Sequence, residues 1–216
     1  MKTVIAIDGP AASGKSSVAR ELAGRLQYAY VNSGAFYRGI TWWVLHTHTD
    51  PALADEVAAV ITRTKLESGY QNHEAYLLLD GADATPNLRD DAVNRSVSAV
   101  SRVPAVRECL LAHLHNLAEE RDLVMEGRDI GSVVFPHTPY KFYIDASPEV
   151  RKQRRQAQGQ TDEIALRDRS DSSRPNAPLI IAEDALVIDS THLTVDGVVG
   201  EVIGRLKLQG LPVPAR

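Results

Sequence analysis

Short apolar runs alternate with amphipathic stretches along most of the chain. Residues 3–7 are apolar and β-branched, which predicts a buried strand. Further on, apolar side chains recur near helical spacing at Val18, Leu22 and Leu26. The same patterns predict strands at 2–8, 28–31, 122–126, 140–145 and 185–189, and helices at 15–27, about 33–45, 52–63, 90–100, 104–120, from 147 onward, and 194–208. Strands that alternate with helices indicate an α/β fold with a mainly parallel sheet.

Two local features modify this pattern. Between residues 65 and 89, a strand-like run at 76–79 is surrounded by glycine, asparagine and proline, which predicts a small β insertion. In the helix that opens near residue 33, Ser33 is expected to be the cap, because a serine hydroxyl accepts hydrogen bonds from the free N–H groups of a helix start.

A glycine-rich loop lies between the first predicted strand and the first predicted helix. Residues 9–16 follow the Gly-x4-Gly-Lys-Ser/Thr pattern of a phosphate-binding loop, so we expect the three-layer fold of the P-loop NTPases. Backbone N–H groups and the helix dipole form an anion cradle in such a loop, Lys15 reaches the outer phosphates, and the Ser16 hydroxyl binds Mg²⁺. The predicted triphosphate-binding residues are Gly9, Pro10, Ala11, Ala12, Ser13, Gly14, Lys15, Ser16 and Ser17. The loop alone does not separate a kinase from a switch GTPase or a motor ATPase.

The composition is that of an ordinary globular protein. A chain of 216 residues, 44% hydrophobic and 24% charged, suits one compact domain with small insertions. Its net charge of −4 argues against broad binding to nucleic acid or anionic membranes. We expect neither a membrane span nor a signal peptide, because no apolar run is long enough and the first strand starts at once. The lone Cys109 favours a reducing compartment, the cytoplasm.

An acid, an arginine and a second acid follow the strand predicted at 122–126. Glu126 ends the strand, where phosphoryl-transfer enzymes place a carboxylate that holds Mg²⁺ or its waters; the alternative is a helix-capping or surface acid. Arg128 offers a fork that suits a phosphate, and Asp129 can accept hydrogen bonds from an exocyclic base amine. The alternative is a mutual ion pair. The position at a strand end favours contact with a ligand.

Arginines crowd the helix predicted after residue 147. Arg151, Arg154 and Arg155 either form a solvated helix face or neutralise the charge of a triphosphate during transfer. Because Arg151 and Arg154 are three residues apart, they share one face of a helix. The sequence leaves both alternatives open.

Two further groups of residues suit anions. Arg167, Asp171 and Arg174 recur at spacings of four and three, which indicates either an ion-pair ladder on a helix or a clamp on a phosphate and ribose. The helix that opens at Ser33 offers its amino end to an anion, and Arg38, one turn later, is able to reach it. Two anion sites, one for each substrate, suit a kinase better than a switch protein.

These motifs together resemble the cytidylate kinases, the (d)CMP kinase branch of the P-loop nucleoside monophosphate kinases. The resemblance runs from the first strand to about residue 192. Its most specific parts are the Ile-Asp-Gly-Pro start of the loop, the Ser-Gly-Ala-Phe-Tyr-Arg run at 33–38, the Gly-Arg-Asp-Ile-Gly-Ser-Val-Val-Phe-Pro block at 127–136 and the Arg-Asp-Arg-Ser-Asp-Ser-Ser-Arg block at 167–174.

The resemblance implies a kinase that transfers phosphate from ATP, with Mg²⁺, to CMP or dCMP. It implies one kinase domain with a core at 1–64, 90–150 and 175–216, a monophosphate-binding insertion at 65–89, and a lid at 151–174. The implied CMP-binding residues are Ser33, Tyr37, Arg38, Ser98, Arg107, Arg128, Asp129, Arg167, Asp171 and Arg174. Within this set, Ser98, Arg107 and Asp129 are implied to bind cytosine.

The remaining implied roles concern the phosphates, the sugar and the metal. Arg38, Arg128 and Arg174 are implied to bind the CMP phosphate, and Arg167 and Asp171 are implied to contact the sugar. Lys15, Arg128, Arg154 and Arg174 are implied to be catalytic. Ser16 and, through water, Glu126 are implied to hold Mg²⁺. A monomer is implied, without nucleic-acid or membrane partners.

The chain differs from the family pattern at two points, and two alternative functions stay open. Where the family usually has aspartate before Ser-Gly, this chain has Asn32, which removes a charge but keeps a capping side chain. The segment between Arg155 and Arg167 is short, which indicates a compact lid. A kinase for UMP or shikimate on the same fold is one rival. A GTP-dependent switch is the other, although no Asn-Lys-x-Asp guanine motif is present.

Overall fold

The computed structural model describes residues 2–157 and 179–214. Its strands are β1 (Val4–Asp8), β2 (Ala29–Asn32), β3 (Leu66–Gln71), β4 (Glu74–Leu79), β5 (Ala82–Asp83), β6 (Leu123–Gly127), β7 (Tyr140–Asp145) and β8 (Leu186–Asp189). Its α-helices are α1 (Lys15–Leu26), α2 (Ser33–His46), α3 (Ala54–Arg63), α4 (Asp91–Val100), α5 (Pro104–Glu120), α6 (Pro148–Ala157) and α7 (Val195–Leu208). A 3₁₀ turn covers Thr85–Asn87, and one turn of π-helix, called the π-turn below, covers Ile130–Val134.

The chain divides into two compact units. The first unit contains Met1–Val31 and Arg121–Arg216, and the second contains Asn32–Glu120. In the first unit the strand order is β2-β6-β1-β7-β8. β1 runs parallel to both β6 and β7, and β7 runs parallel to β8. The α/β fold with a mainly parallel sheet is therefore confirmed.

The register of the first unit brings four strand ends to one edge of the sheet. Asp8, the last residue of β1, pairs with Gly127 of β6 and Tyr143 of β7. Asp145 of β7 pairs with Asp189 of β8. Because parallel strands point the same way, the segments that leave β1, β6, β7 and β8 begin at the same edge. This is where chemistry is expected in an open α/β sheet.

The core of the first unit lies between its sheet and helices α1 and α7. β1 is buried along its whole length, which explains its continuous apolar sequence. The helices contribute apolar residues at helical spacing to the same cluster, which contains Ile5, Ile7, Val18, Leu22, Leu26, Val124, Phe142, Ile144, Ile188, Val198, Val202 and Leu206 among others. The core thus holds the phosphate-loop strand and the helix that follows it.

The second unit combines an antiparallel meander with four helices. β3 pairs with β4, and β4 with β5, in the region where the sequence predicts β structure. α2 packs on α4, α5 and β4, and α3 packs on α5. The Tyr70 hydroxyl donates to the Leu117 carbonyl (2.7 Å), and Ser68 Oγ lies 2.8 Å from His113 Nδ1, so two side chains of β3 tie it to α5.

The predicted strands and helices are found with ends shifted by one or two residues. Ser33 is already helical, so the prediction that it caps α2 was wrong. Asn32 accepts a hydrogen bond from the Ala35 N–H (2.9 Å), which confirms that it keeps a capping side chain. The π-turn was not predicted. None of the helices in the described ranges combines the length and the apolar character that crossing a membrane requires.

Candidate active site

The phosphate loop depends on two glycines. Gly9 has a φ of 155°, and a Cβ there would lie 2.1 Å from the carbonyl oxygen of Ile144, so only glycine fits. Gly14 caps α1 with a φ of 92° and offers no side-chain acceptor to the helix start. A helix start without a side-chain cap suits an anion, because its first N–H groups are not satisfied within the helix.

Lys15 lies folded over the loop and is 7% exposed. Its ammonium donates to the carbonyl of Pro10 (3.3 Å) and lies 3.9 Å from Glu126 Oε2. Glu126 is itself 3% exposed and accepts a hydrogen bond from the Tyr30 hydroxyl (3.3 Å). The structure therefore brings together the predicted phosphate-binding lysine and the predicted metal-side acid.

Three loop serines differ in their surroundings. The Ser13 hydroxyl is buried and has no hydrogen-bond partner among the residues that the structure describes. Ser16 and Ser17, at the start of α1, are exposed. A buried hydroxyl that lacks a partner in a phosphate loop is a polar group that a ligand can satisfy.

Two arginines of α6 bind the backbone of the phosphate loop. Arg151 donates to the carbonyl oxygens of Ala11 (3.3 Å) and Ala146 (3.1 Å) and is 8% exposed. Arg154 donates from Nη1 to the carbonyl of Ser13 (3.1 Å). The third arginine of the predicted cluster, Arg155, is half-buried. A solvated helix face is therefore the wrong description of Arg151 and Arg154.

Ser190, which was not predicted from the sequence, also contacts the phosphate loop and Arg154. It follows β8 directly and is 3% exposed. Its hydroxyl donates to the Ser13 carbonyl (2.8 Å), and Arg154 donates to both its hydroxyl (3.0 Å) and its carbonyl (2.8 Å). Arg154 and Ser190 thus hold one point of the loop together.

Arg128 and Asp129 connect β6 to the π-turn. Arg128 donates from Nη1 to the Gly9 carbonyl (3.0 Å), which places its guanidinium at the start of the phosphate loop. Asp129 is 4% exposed. The choice between contact with a ligand and a mutual ion pair stays a prediction.

Asp8 was also missed. It ends β1 at 5% exposure, and its two carboxylate oxygens accept hydrogen bonds from the N–H groups of Ile130 (2.8 Å) and Gly131 (2.7 Å). Burial raises the pKa of this carboxyl to about 7, although both hydrogen bonds act in the opposite direction. Asp8 is part of the Ile-Asp-Gly-Pro run, but its role was not predicted, because its partners are backbone groups without a sequence signature.

Lys141 is a second buried ionisable residue that the sequence did not predict. It is 4% exposed and donates to the Pro136 carbonyl (2.7 Å) and to both carboxylate oxygens of Asp184 (2.8 and 2.7 Å). This pair holds the pKa of the Asp184 carboxyl below its usual range. The far end of the segment that begins at Arg128 is thereby fixed.

In the second unit, the start of α2 has the form of an anion site. A Cβ at Gly34 would lie 3.4 Å from Arg38 Nη1 and 3.3 Å from Asn32 Oδ1. The guanidinium of Arg38 therefore folds back to the amino end of its own helix, where Ser33 is buried. The dipole of α2 and the charge of Arg38 reinforce each other there.

The second unit also brings together three of the residues implied to bind CMP. The guanidinium carbon of Arg107 lies 5.7 Å from the centre of the Tyr37 ring, over its face. Arg107 donates to the Ser101 carbonyl (3.5 Å), and Ser101 donates in turn to the Ser98 carbonyl (3.2 Å). Tyr37, Ser98 and Arg107 thus belong to one network at the junction of α4 and α5.

The last group lies outside the described residues. Arg167, Asp171 and Arg174, with most of the lid expected at 151–174, fall between residues 157 and 179. Their roles stay predictions.

Comparison with known proteins adds independent information. A family model described as cytidylate kinase matches residues 5–208. A cytidylate kinase of Rhodococcus opacus is 42% identical over 212 residues, covering 93% of this chain and 93% of that relative. A cytidylate kinase of Rhodococcus jostii is 43% identical over 218 residues (94% and 93%), and one of Geobacillus kaustophilus 40% over 210 residues (92% and 94%). A solved structure, TT1252 from Thermus thermophilus, covers 95% of this chain and 98% of its own at 19% identity, with a TM-score of 0.46.

Proposed function

The chain belongs to the cytidylate kinase family, and we propose how its residues divide the family's reaction, the transfer of the γ-phosphoryl group of ATP to CMP or dCMP. The protein is an enzyme, a (d)CMP kinase. One observation carries the assignment of roles: a complete phosphate loop leaves β1, and Arg128 and Asp129 leave the neighbouring β6 at the same sheet edge. A donor site and part of an acceptor site therefore start from adjacent strands.

ATP is assigned to the phosphate loop, residues 9–17. The start of α1 has no side-chain cap, and the hydroxyl of Ser13 is buried, so both suit the binding of an anion. Lys15 supplies the positive charge for the outer phosphates. Arg154 lies at the loop already, through its bond to the Ser13 carbonyl, and is assigned to the transferring phosphoryl group.

CMP is assigned to the residues that the family resemblance implies. Arg38 at the start of α2, Arg128 after β6 and Arg174 are assigned to its phosphate. Ser33, Tyr37, Ser98, Arg107 and Asp129 are assigned to the nucleoside, with Asp129 accepting from the exocyclic amine of cytosine. Arg167 and Asp171 are assigned to the sugar. Arginine suits the phosphate role because its planar fork matches phosphate oxygens.

Mg²⁺ is proposed to accompany ATP. The residues fit this ion, since the Ser16 hydroxyl is exposed at the helix start and Glu126 is a carboxylate beside Lys15. Mg²⁺ prefers oxygen ligands and keeps several waters, so one hydroxyl, one carboxylate through water and the phosphates suffice. The ion would neutralise charge on the phosphates of ATP.

The chemistry requires positioning and charge neutralisation rather than covalent catalysis. An oxygen of the CMP phosphate attacks the γ-phosphorus in line, and no general base is needed because that oxygen is already anionic. We assign the core to 1–64, 90–150 and 175–216, the monophosphate-binding insertion to 65–89 and the lid to 151–174. Closure of the lid would exclude water and so limit ATP hydrolysis.

The partners are proposed to be small molecules alone. A net charge of −4 gives no broad attraction to nucleic acid or anionic membranes, and the lone Cys109 suits a reducing compartment. We therefore propose a cytoplasmic enzyme that acts as a monomer on ATP and CMP or dCMP.

The variant Asp129→Ala tests the assignment of the base. Loss of the acceptor for the cytosine amine should lower kcat/KM for CMP about 10- to 100-fold, while the KM for ATP changes little. Formation of ADP is measured with CMP, dCMP, UMP, AMP and shikimate for both proteins. Wild-type kinetics with CMP in Asp129→Ala would remove this role, and a preference of the wild type for shikimate or UMP would favour the rival kinases.

A further inference from the structure

Arg128 and Asp129 stand on a connection rather than on a regular element. β6 ends at Gly127, and the π-turn starts at Ile130. A connection of this kind fixes the direction of its side chains only if its backbone is held by other parts of the protein. The residues that hold it therefore matter for whatever Arg128 and Asp129 bind.

Asp8 holds the start of the π-turn. Its Oδ1 accepts from the Ile130 N–H (2.8 Å) and its Oδ2 from the Gly131 N–H (2.7 Å). Hydrogen bonds to a carboxylate are short and stronger than neutral ones. Two adjacent amides bound by one rigid carboxylate leave their peptide planes little freedom, and the first of them follows Asp129 directly.

Lys141 contacts the same segment at two places, the carbonyl of Pro136 after the π-turn and Gly131 within it. Its ammonium donates to the Pro136 carbonyl (2.7 Å) and is fixed in turn by Asp184. A Cβ at Gly131 would lie 3.1 Å from Lys141 Cγ and Cδ and 3.4 Å from Asp8 Oδ2. The stem of Lys141 therefore passes over Gly131, and the turn is enclosed between a buried acid and a buried base.

We propose that Asp8 is a positioning residue for the acceptor nucleotide, acting through the backbone of Ile130 and Gly131 on Arg128 and Asp129. Asp8 touches neither substrate in this account. The inference rests on the proposed function, which assigns Arg128 and Asp129 to CMP. It predicts that an acid in the strand of the ATP loop controls the binding of the other substrate.

A simpler role for Asp8 is conceivable, because it directly precedes Gly9. If Asp8 served the phosphate loop, its loss would weaken ATP and CMP alike or ATP alone. The described hydrogen bonds of its carboxylate go to the π-turn and not to the loop. The ratio of the two KM values therefore separates the two roles.

The test compares Asp8→Asn with a matched control, Asp122→Asn. An asparagine at position 8 keeps one acceptor oxygen, but its amide NH₂ faces the second N–H group. Asp122 is also an aspartate beside β1 and β6, and its Oδ1 accepts from the Thr3 N–H (2.6 Å) at the opposite ends of these strands. At pH 8, Asp8→Asn should raise the KM for CMP about tenfold or more and the KM for ATP less than about threefold, whereas Asp122→Asn should alter neither.

Each alternative result has a defined meaning. An equal rise in both KM values, or wild-type values in Asp8→Asn, would overturn the inference. If Asp129→Ala leaves the KM for CMP unchanged, the proposed role of Asp129 fails; if it raises that KM while Asp8→Asn does not, only the positioning role of Asp8 fails. If Asp8→Asn does not fold, Gly131→Ala takes its place, because the added methyl group crowds both Lys141 and Asp8. The ratio of the KM for CMP to the KM for ATP is then measured in that variant.

Discussion

Backbone groups contact two buried ionisable side chains at the phosphate loop. Asp8 and Lys15 are 5% and 7% exposed. Two N–H groups bind Asp8, and a carbonyl oxygen binds Lys15. Burial nevertheless raises the pKa of Asp8 to about 7, with a further contribution from Asp129 and an opposing one from Lys15. Ionisation of Asp8 therefore costs folding free energy at neutral pH.

The sign of this effect gives a testable pH dependence. Between the unfolded pKa of 3.8 and the folded value of about 7, the native protein binds the proton more tightly than the unfolded chain does. The contribution of Asp8 to stability is thus fully present below pH 3.8 and is lost as the pH rises through about 7. The slope approaches about 1.4 kcal/mol per pH unit within that window.

The comparison of wild type with Asp8→Asn isolates the contribution of Asp8 ionisation to the free energy of unfolding, because asparagine does not titrate. Urea unfolding at pH 5, 6, 7 and 8 should show the wild type losing free energy of unfolding relative to the variant as the pH rises. A difference between the two proteins that is constant over this range would contradict the raised pKa.

At this scale the sequence predicted residues that belong to a motif and missed those that support it. Gly9, Gly14 and Lys15 follow from the pattern of the loop alone. Asp8 and Ser190 were missed because their partners include the backbone groups of Ile130, Gly131 and Ser13, and every residue has such groups. No spacing along the chain indicates a contact of that kind.

Residues of helix α6 and the residue that follows β8 donate hydrogen bonds to the backbone of the phosphate loop. Arg154 on α6 and Ser190 after β8 bind each other and the same carbonyl, that of Ser13. Arg154 is therefore a tether for the loop, and the proposed function gives it a second role, a positive charge for the transferring phosphoryl group.

The variants Arg154→Ala and Ser190→Ala distinguish these functions. Ser190→Ala removes one donor to Ser13 but leaves the guanidinium, so kcat should fall only a few-fold. Arg154→Ala also removes the charge, so kcat should fall about a hundredfold or more. Single-turnover rates at saturating ATP and CMP measure both.

Arg205→Ala is the control, since Arg205 is partly exposed on α7 and paired with Glu201 of the same helix. It should retain the wild-type rate. Equal losses in Arg154→Ala and Ser190→Ala would show that Arg154 acts only as a tether.

Elements were predictable because their apolar periodicities are regular, whereas their ends depend on single contacts. α5 matches its prediction at Pro104 and Glu120, and proline suits a first helical position. The cap of α2 was misplaced by one residue because serine and asparagine are both good caps, and only the bond from Ala35 decides for Asn32. The π-turn has no periodicity that a short segment could reveal.

The residues assigned to the two substrates are distributed unequally over the molecule. The phosphate loop, Arg128 and Asp129 lie in the first unit, and Ser33, Tyr37, Arg38, Ser98 and Arg107 lie in the second. The family motifs identified these residues from sequence, since each motif is local. Their proposed assignment to one nucleotide rests on the resemblance, because a local motif carries no information on contacts between distant parts of the chain.

The most direct test is a crystal structure with a non-hydrolysable ATP analogue and CMP bound together. The account predicts the triphosphate in the loop at 9–17, the CMP phosphate within hydrogen-bond distance of Arg38 and Arg128, and the cytosine amine at Asp129. A CMP molecule whose phosphate contacts neither arginine, or a triphosphate bound outside the loop, would contradict it.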